Sequence, residues 1–166
     1  MIRHVWSVLC SESVIDIGTN NVSLHSVVER LTVAGAPDPE RKLRINLDIV
    51  SLWERLPDEE PLRGNARVAL LTPTREVLGA TEFGVDLESA DTCRSRVHYL
   101  DLPLPVEGRY VFEVAVQDGA GAWRPMSEVP LRILFLPPEQ WPRSRGDLTR
   151  SIAERARPGI PEIDAP

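Results

Sequence analysis

The fold is decided by one stretch of sequence, Gly108-Arg109-Tyr110-Val111-Phe112-Glu113-Val114-Ala115-Val116-Gln117-Asp118. Apolar side chains recur at every second position and would share one side of a strand: Tyr110, Phe112, Val114 and Val116. Polar side chains point the other way: Arg109, Glu113 and Gln117. This alternation, bounded by glycines, predicts a half-buried antiparallel strand.

The residues that lead into this strand resemble the tyrosine corner of immunoglobulin-like sandwiches. Leu102-Pro103-Leu104-Pro105 is followed by a Gly-x-Tyr sequence. The resemblance implies that the Tyr110 hydroxyl bonds main chain near Leu104 to Val106. In immunoglobulin domains a cysteine that bridges the sheets stands two residues after this tyrosine. Here Phe112 takes that place, and we expect its ring to substitute for the disulfide.

Similar alternation recurs along the chain between clusters of turn-forming residues. It predicts strands over 2–10, 43–53, 66–71, 83–87, 97–102 and 123–135. The segment 22–33 fits helical spacing as well, but its β-branched residues and flanking turns favour a strand with a bulge. About seven to eight strands without an intervening helix predict an all-β, immunoglobulin-like antiparallel sandwich over residues 1–136.

Residues 137–166 form a C-terminal extension that is rich in proline and arginine. One short helix is predicted in it, from Asp147 as N-cap to Arg157, with a thin apolar stripe. Apolar side chains in such a segment usually pack against something, which could be the parent sandwich, a second copy or another protein. The candidate interaction residues are therefore Trp141, Leu148 and Ile152.

The N-terminal block Val5-Trp6-Ser7-Val8-Leu9-Cys10-Ser11 resembles an uncharacterised bacterial family of small β-sandwich proteins. The likeness continues through later short motifs: Ile15-Asp16, Thr19-Asn20-Asn21, Ser23-Leu24, the Gly108-x-Tyr110 strand, Trp123 and Val129-Pro130-Leu131. It covers roughly residues 1–136. The resemblance implies the sandwich fold and a bacterial or phage source, and it brings no active residues with it.

Charge and hydropathy exclude several classes of partner. Nineteen basic and twenty-five acidic residues give a net charge of −6, which disfavours nucleic acid and anionic membranes. No run approaches the ~18 apolar residues of a membrane span, and the apolar N-terminus is too short for a signal peptide. We therefore expect a soluble cytoplasmic protein with reduced thiols. Cys10 is predicted to be buried and Cys93 to lie in a polar surface loop.

No group of residues forms a recognisable catalytic or metal site. His4, His25 and His98 lack the spacing of zinc ligands, and Asp58-Glu59-Glu60 has the character of a solvated loop. No nucleophile elbow is present, and Gly119-Ala120-Gly121 predicts a hairpin turn rather than a dinucleotide-binding loop. Trp6 and Trp53 are expected in the core. The sequence thus predicts neither an enzyme, nor a cofactor, nor a metal.

Two functions remain open on the sequence. The first is a non-catalytic interaction or structural module that binds a protein partner or associates with itself. The alternative is a small-ligand-binding or enzymatic domain with a cleft at one end of the sandwich.

Overall fold

The computed structural model describes residues 1–16, 18–19, 21–38, 40, 42–56, 59–137 and 139. In these ranges the chain forms nine strands and no helix, arranged in two packed sheets, so the predicted all-β sandwich is confirmed. The strands are β1 (Arg3–Ile15), β2 (Val22–Val27), β3 (Arg30–Ala34), β4 (Lys42–Glu54), β5 (Leu62–Leu71), β6 (Val77–Leu87), β7 (Thr92–Pro103), β8 (Gly108–Gln117) and β9 (Trp123–Leu136).

One sheet has four strands in the order β2-β1-β4-β7, and the other has five in the order β3-β9-β8-β5-β6. Neighbouring strands are antiparallel except β3 and β9, which are parallel. The chain passes between the sheets several times, and only β1–β2, β5–β6 and β8–β9 pair with their neighbours in sequence. Most strand pairs are therefore formed by residues far apart in the chain.

The core lies between the inner faces of the two sheets, as the alternating patterns predict. Its largest fully buried side chains include Trp53, Tyr110 and Phe112. The aliphatic residues around them come from both sheets: Leu9, Leu47, Ile49, Val85, Leu87, Val97, Leu102, Val114, Leu131 and Ile133. Phe112 is fully buried between the sheets, and its ring centroid is 5.3 Å from that of Tyr99.

The Tyr110 hydroxyl makes the hydrogen bonds that the corner motif predicts. It accepts a hydrogen bond from the Val106 N–H at 3.1 Å and donates one to the Val106 carbonyl at 2.8 Å. Burial raises the pKa of this phenol above its ordinary value, although the bond to Val106 opposes the shift. Both bonds fix the chain where it crosses from β7 to β8.

The prediction of one bulged strand over 22–33 was wrong. This segment forms two strands, β2 and β3, which belong to different sheets. Ser26 has a φ of 51°, and the chain crosses between the sheets at Val28 and Glu29. Val28 donates its N–H to Leu9 of one sheet, while the Glu29 carbonyl accepts from Arg132 of the other, each at 2.9 Å.

Three predictions about single residues need correction. Cys93 lies in β7 rather than in a loop, and its half-buried side chain packs against the core. Cys10 is fully buried as predicted, but β1 continues past it to Ile15. Trp53 is a core residue, whereas Trp6 is only half-buried and does not face the core. Both cysteines are free thiols.

Candidate functional site

The side of the four-stranded sheet that faces away from the core carries apolar side chains. Leu9 and Ile49 pair across β1 and β4 and both point into the core. Because side chains alternate along a strand, the flanking pairs point outward. These pairs are Trp6 with Leu52, Val8 with Val50, and Cys10 with Asp48. We call the surface formed by Trp6, Val8, Cys10, Val50 and Leu52 the outer apolar face.

Exposure varies across the outer apolar face. Val50 and Cys10 are 0% exposed, whereas Trp6, Val8 and Leu52 are half-buried. Arg96 lies beside Val50 on β7 and donates from its Nη1 to the Ser13 carbonyl of β1 at 3.2 Å. Since β4 lies between β7 and β1, this side chain must extend across β4. It covers the end of the face near Ser13, whereas Trp6 and Leu52 at the other end are half-buried.

The outer face of the five-stranded sheet differs, because charged pairs cover its apolar residues. Ala69 and Ala115 are buried there, and their cross-strand neighbours are Glu113 and Arg67. These two neighbours form an ion pair at 3.4 Å, and the Arg67 guanidinium also lies 5.0 Å from the Trp123 ring. The long charged side chains thus provide their own cover, and this face does not need another layer.

Asp48 is a buried carboxylate beside the outer apolar face. Its Oδ2 accepts hydrogen bonds from the N–H and hydroxyl of Ser13, at 2.8 and 2.6 Å. Its Oδ1 lies 2.6 Å from Nδ1 of His98, whose side chain is 46% exposed. Burial alone would raise the pKa of Asp48, but the bonds from Ser13 and His98 outweigh it and lower the pKa.

The order Ser13–Asp48–His98 does not suit nucleophilic catalysis. A catalytic serine needs the imidazole as its base, with the carboxylate behind the imidazole. Here the carboxylate lies between the two, and the hydroxyl donates to it directly. β1 pairs with β4 only as far as Cys10, and beyond that point Asp48 binds the Ser13 N–H. This arrangement supports a structural role for Asp48.

A second histidine and two serines form a small polar network inside the sandwich. Nε2 of His4 lies 2.7 Å from Oγ of Ser7, which lies 2.6 Å from Oγ of Ser51. The His4 ring makes an edge contact with Trp53 at 5.2 Å, and burial lowers the pKa of this imidazole. His4 and Ser7 lie within hydrogen-bond distance of each other, as a catalytic pair would, but neither of them lines the cleft at the end of the sandwich.

A cleft of ≈ 430 Å³ opens at the end of the sandwich opposite the tyrosine corner. Its lining combines apolar side chains with polar, cationic and acidic ones: Ile2, Leu62, Val116, Met126, Asn65, Gln117, Arg63, Arg124 and Asp118 among them. The Asn65 amide donates to the Gln117 side chain at 2.9 Å, which ties β5 to β8 at the rim. An amphipathic small molecule with an acidic group suits such a lining.

The structure describes only some of the residues that the sequence singled out as candidate sites. Trp141, Leu148, Ile152 and the predicted helix from Asp147 to Arg157 lie outside the described residues, as does Asp58. Glu59 of the acidic loop accepts from the terminal amine of Met1 at 2.6 Å. Among the described residues no three metal-ligating side chains come together, and no helix has the length and apolarity of a membrane span. Sequence reasoning missed the outer apolar face, although the apolar residues on both sides of β1 were a visible signal.

Comparisons with other proteins add no assignment. No model of a known protein family matches the chain, and no curated protein matches it. Function must therefore be inferred from the geometry of this molecule.

Proposed function

We propose that this protein is a non-catalytic interaction or structural module, and that its outer apolar face binds an apolar protein segment. The supporting observation is the contrast between the two outer faces. One is covered by its own ion pairs. The other presents half-buried Trp6, Val8 and Leu52 on a two-layer sandwich. Apolar surface of this kind on a soluble domain marks an interaction site.

The composition of the face suits protein binding. Tryptophan and arginine are enriched at the energetic centres of protein interfaces, and Trp6 lies on the same face as Arg94 and Arg96 of β7. Completing the burial of one aliphatic side chain such as Leu52 contributes at most about 1.5–3 kcal/mol, and less where it is already half-buried. Trp6 together with its aliphatic neighbours could therefore anchor a short segment.

The proposal extends to the finer description of the fold. The parallel pairing of β3 with β9, the crossing of the chain between sheets and the tyrosine corner support an immunoglobulin-like arrangement. The resemblance of the N-terminal block suggests a bacterial family, and the acidic composition suits a soluble cytoplasmic protein. Immunoglobulin-like sandwiches serve many functions, so the fold alone does not select among them.

A site-specific crosslinking experiment tests the proposal. A photoreactive benzoylphenylalanine replaces Leu52 on the outer apolar face, and in a matched control it replaces exposed Ala80. Ala80 pairs with Ala69 and so lies on the outer face of the five-stranded sheet. We expect covalent crosslinks from position 52 to a protein segment, in another chain or elsewhere in the same chain, and none from position 80. Leu52→Glu should also abolish binding of the crosslinked segment, whereas Ala80→Glu should leave it unchanged.

Equal crosslinking at both positions, or none at position 52, would contradict a docking role for this face. Sedimentation velocity distinguishes a second copy of this chain from a different protein as the partner. An adduct between two copies should be matched by a dimer that Leu52→Glu dissociates. An adduct with a different protein should leave the mass of the isolated chain unchanged.

A second candidate function is supported by the end cleft, which could hold a small molecule with an apolar body and a carboxylate. Arg124 would bind the carboxylate, and Leu62, Val116 and Met126 would contact the apolar part. Hexanoate and hexanol are suitable probes in amide NMR titrations. Hexanoate should shift resonances of residues 62–65 and 116–119 more than hexanol does, and Arg124→Gln should remove the difference. Identical shifts with both probes would exclude the carboxylate site.

A further inference from the structure

We infer that the chain's own C-terminal extension, residues 140–166, docks on the outer apolar face and competes with any other occupant. This inference rests on the proposed docking role of that face. It assigns the extension the role of an intramolecular cover.

The extension starts close enough to reach the face. β9 ends at Leu136, at the tyrosine-corner end of the sandwich. From there a chain must cross the ~10 Å between sheets and run back beside β1. His4 contacts Ser127 of β9, so Trp6 lies roughly seven residues back from the level of Leu136, or about 23 Å. Twelve residues separate Leu136 from Leu148 and span up to ~40 Å when extended, which is sufficient.

The apolar anchors of the extension match the face in length. Leu148, Ile152 and Ala156 are four residues apart and would form one stripe of the predicted helix. Leu148 and Ile152, its two large members, would lie about 6 Å apart along that helix at 1.5 Å per residue. The half-buried end of the outer apolar face extends from Trp6 to Val8 along β1, about 7 Å at 3.4 Å per residue. A short helix with so thin a stripe is stable only when the stripe is covered, and the face offers that cover.

Charge favours the extension over a second copy of the sandwich. Residues 1–139 carry fourteen basic and twenty-one acidic residues, so two such bodies repel each other. The segment 140–157 carries five arginines against Asp147 and Glu154, a net charge of +3. The whole extension also includes Glu162 and Asp164 and has a net charge of +1, so net charge favours docking in cis over the pairing of two acidic bodies.

A peptide-rebinding experiment with the full-length chain tests the inference. The probe is a fluorescently labelled peptide of residues 140–166, and binding is followed by anisotropy. In the wild-type chain the tethered extension should compete with the probe. The double variant Leu148→Asp, Ile152→Asp disables that tethered copy and should bind the probe. With an effective concentration on the order of 1 mM and a peptide Kd of about 10 μM, the wild type should bind about 100-fold more weakly.

Further substitutions locate the binding surface. Adding Leu52→Glu to the double variant should abolish probe binding, whereas adding Ala80→Glu should not change it. In addition, benzoylphenylalanine at position 52 of the otherwise wild-type chain should crosslink within the chain, to peptides from residues 140–166. Failure of the double variant to bind the probe, or binding that Leu52→Glu leaves intact, would overturn the inference.

The results also separate this inference from the proposed function. If position 52 crosslinks to another chain while the probe does not bind, the face is an interaction site and the extension is not its cover. If the probe binds but position 52 of the double variant captures no other chain, the face serves only to hold the extension. A concentration-dependent dimer of the wild type that Leu52→Glu dissociates would place a second copy on the face and overturn docking in cis.

Discussion

Replacing Asp48 with alanine should destabilise the sandwich by about 2–3 kcal/mol. The substitution removes the acceptor for the N–H and hydroxyl of Ser13, which is only 3% exposed. A buried donor left unpaired costs about 1–3 kcal/mol, and breaking a buried charged pair costs about 3–5 kcal/mol. The expected loss stays at or below the lower end of the second range because the other partner, His98, is 46% exposed and can bind water instead. Urea unfolding near pH 6.5 measures the difference.

The matched variant Asp48→Asn should cost less than alanine. Its carbonyl oxygen can still accept both bonds from Ser13, and its amide can donate to the unprotonated Nδ1 of His98. Only the charge-assisted part of each interaction is then lost. Asparagine as destabilising as alanine would show that the negative charge, rather than hydrogen-bond acceptance, stabilises this position.

The effect of Asp48 should depend on pH in a defined direction. The pKa of its carboxyl is lowered in the folded protein, so the unfolded chain takes up this proton first as the pH falls. The stabilisation is complete above the unfolded value of about 3.9 and is lost as the pH falls through the lower folded value. The stability gap between wild type and Asp48→Asn should therefore narrow below about pH 4. A gap that stays constant from pH 6 to pH 3 would refute this reasoning.

Three further predictions concern the corner, a glycine and a thiol. Tyr110→Phe should lower the free energy of unfolding by about 1 kcal/mol in denaturant melts, because water can reach the N–H and carbonyl of half-exposed Val106. An unchanged free energy of unfolding would contradict a structural role for the Tyr110 hydroxyl. Gly108→Ala should cost about 1–3 kcal/mol, because φ is +145° and a Cβ would lie 2.6 Å from a proline ring carbon. Gly84→Ala, with nothing within 4 Å, is the control. Cys10 is fully buried and burial raises the pKa of its thiol, so it should react with maleimide only as fast as the surrounding strands unfold and expose it. Immediate labelling of Cys10 would refute its burial.

The strands that form the core could be predicted because their core-facing apolar residues recur at every second position. In β8 the apolar residues Tyr110, Phe112, Val114 and Val116 recur at every second position, and the structure places them in the core, although Ala115 on the other face is buried as well. The same holds for Leu131 and Ile133 in β9. Where one face packs on the core and the other meets water, period-two alternation carries the information in the local sequence.

The split of residues 22–33 could not be predicted from local pattern. β3 is defined by its parallel pairing with β9, from Arg30 with Arg132 to Ala34 with Leu136. The partners are about one hundred residues apart, so nothing in the β3 sequence specifies them. Similarly, the polar neighbours of Cys93 suggested a loop, although strand pairing with Trp53 places its side chain against the core.

The outer apolar face could be predicted only in part from local pattern. β1 is apolar on both sides, with Leu9 pointing inward and Trp6 and Val8 outward. An antiparallel strand in a two-layer sandwich needs only one apolar side, so a second one indicates cover on the other face. Pairing of β1 with β4 places Val50 and Leu52 next to these residues, so that the apolar residues of the two strands form one surface. If that surface is a docking site, Trp6→Ala should weaken binding of the docked segment more than it lowers the free energy of unfolding. Substitution of a core residue such as Leu9 should instead lower the free energy of unfolding more than it weakens binding.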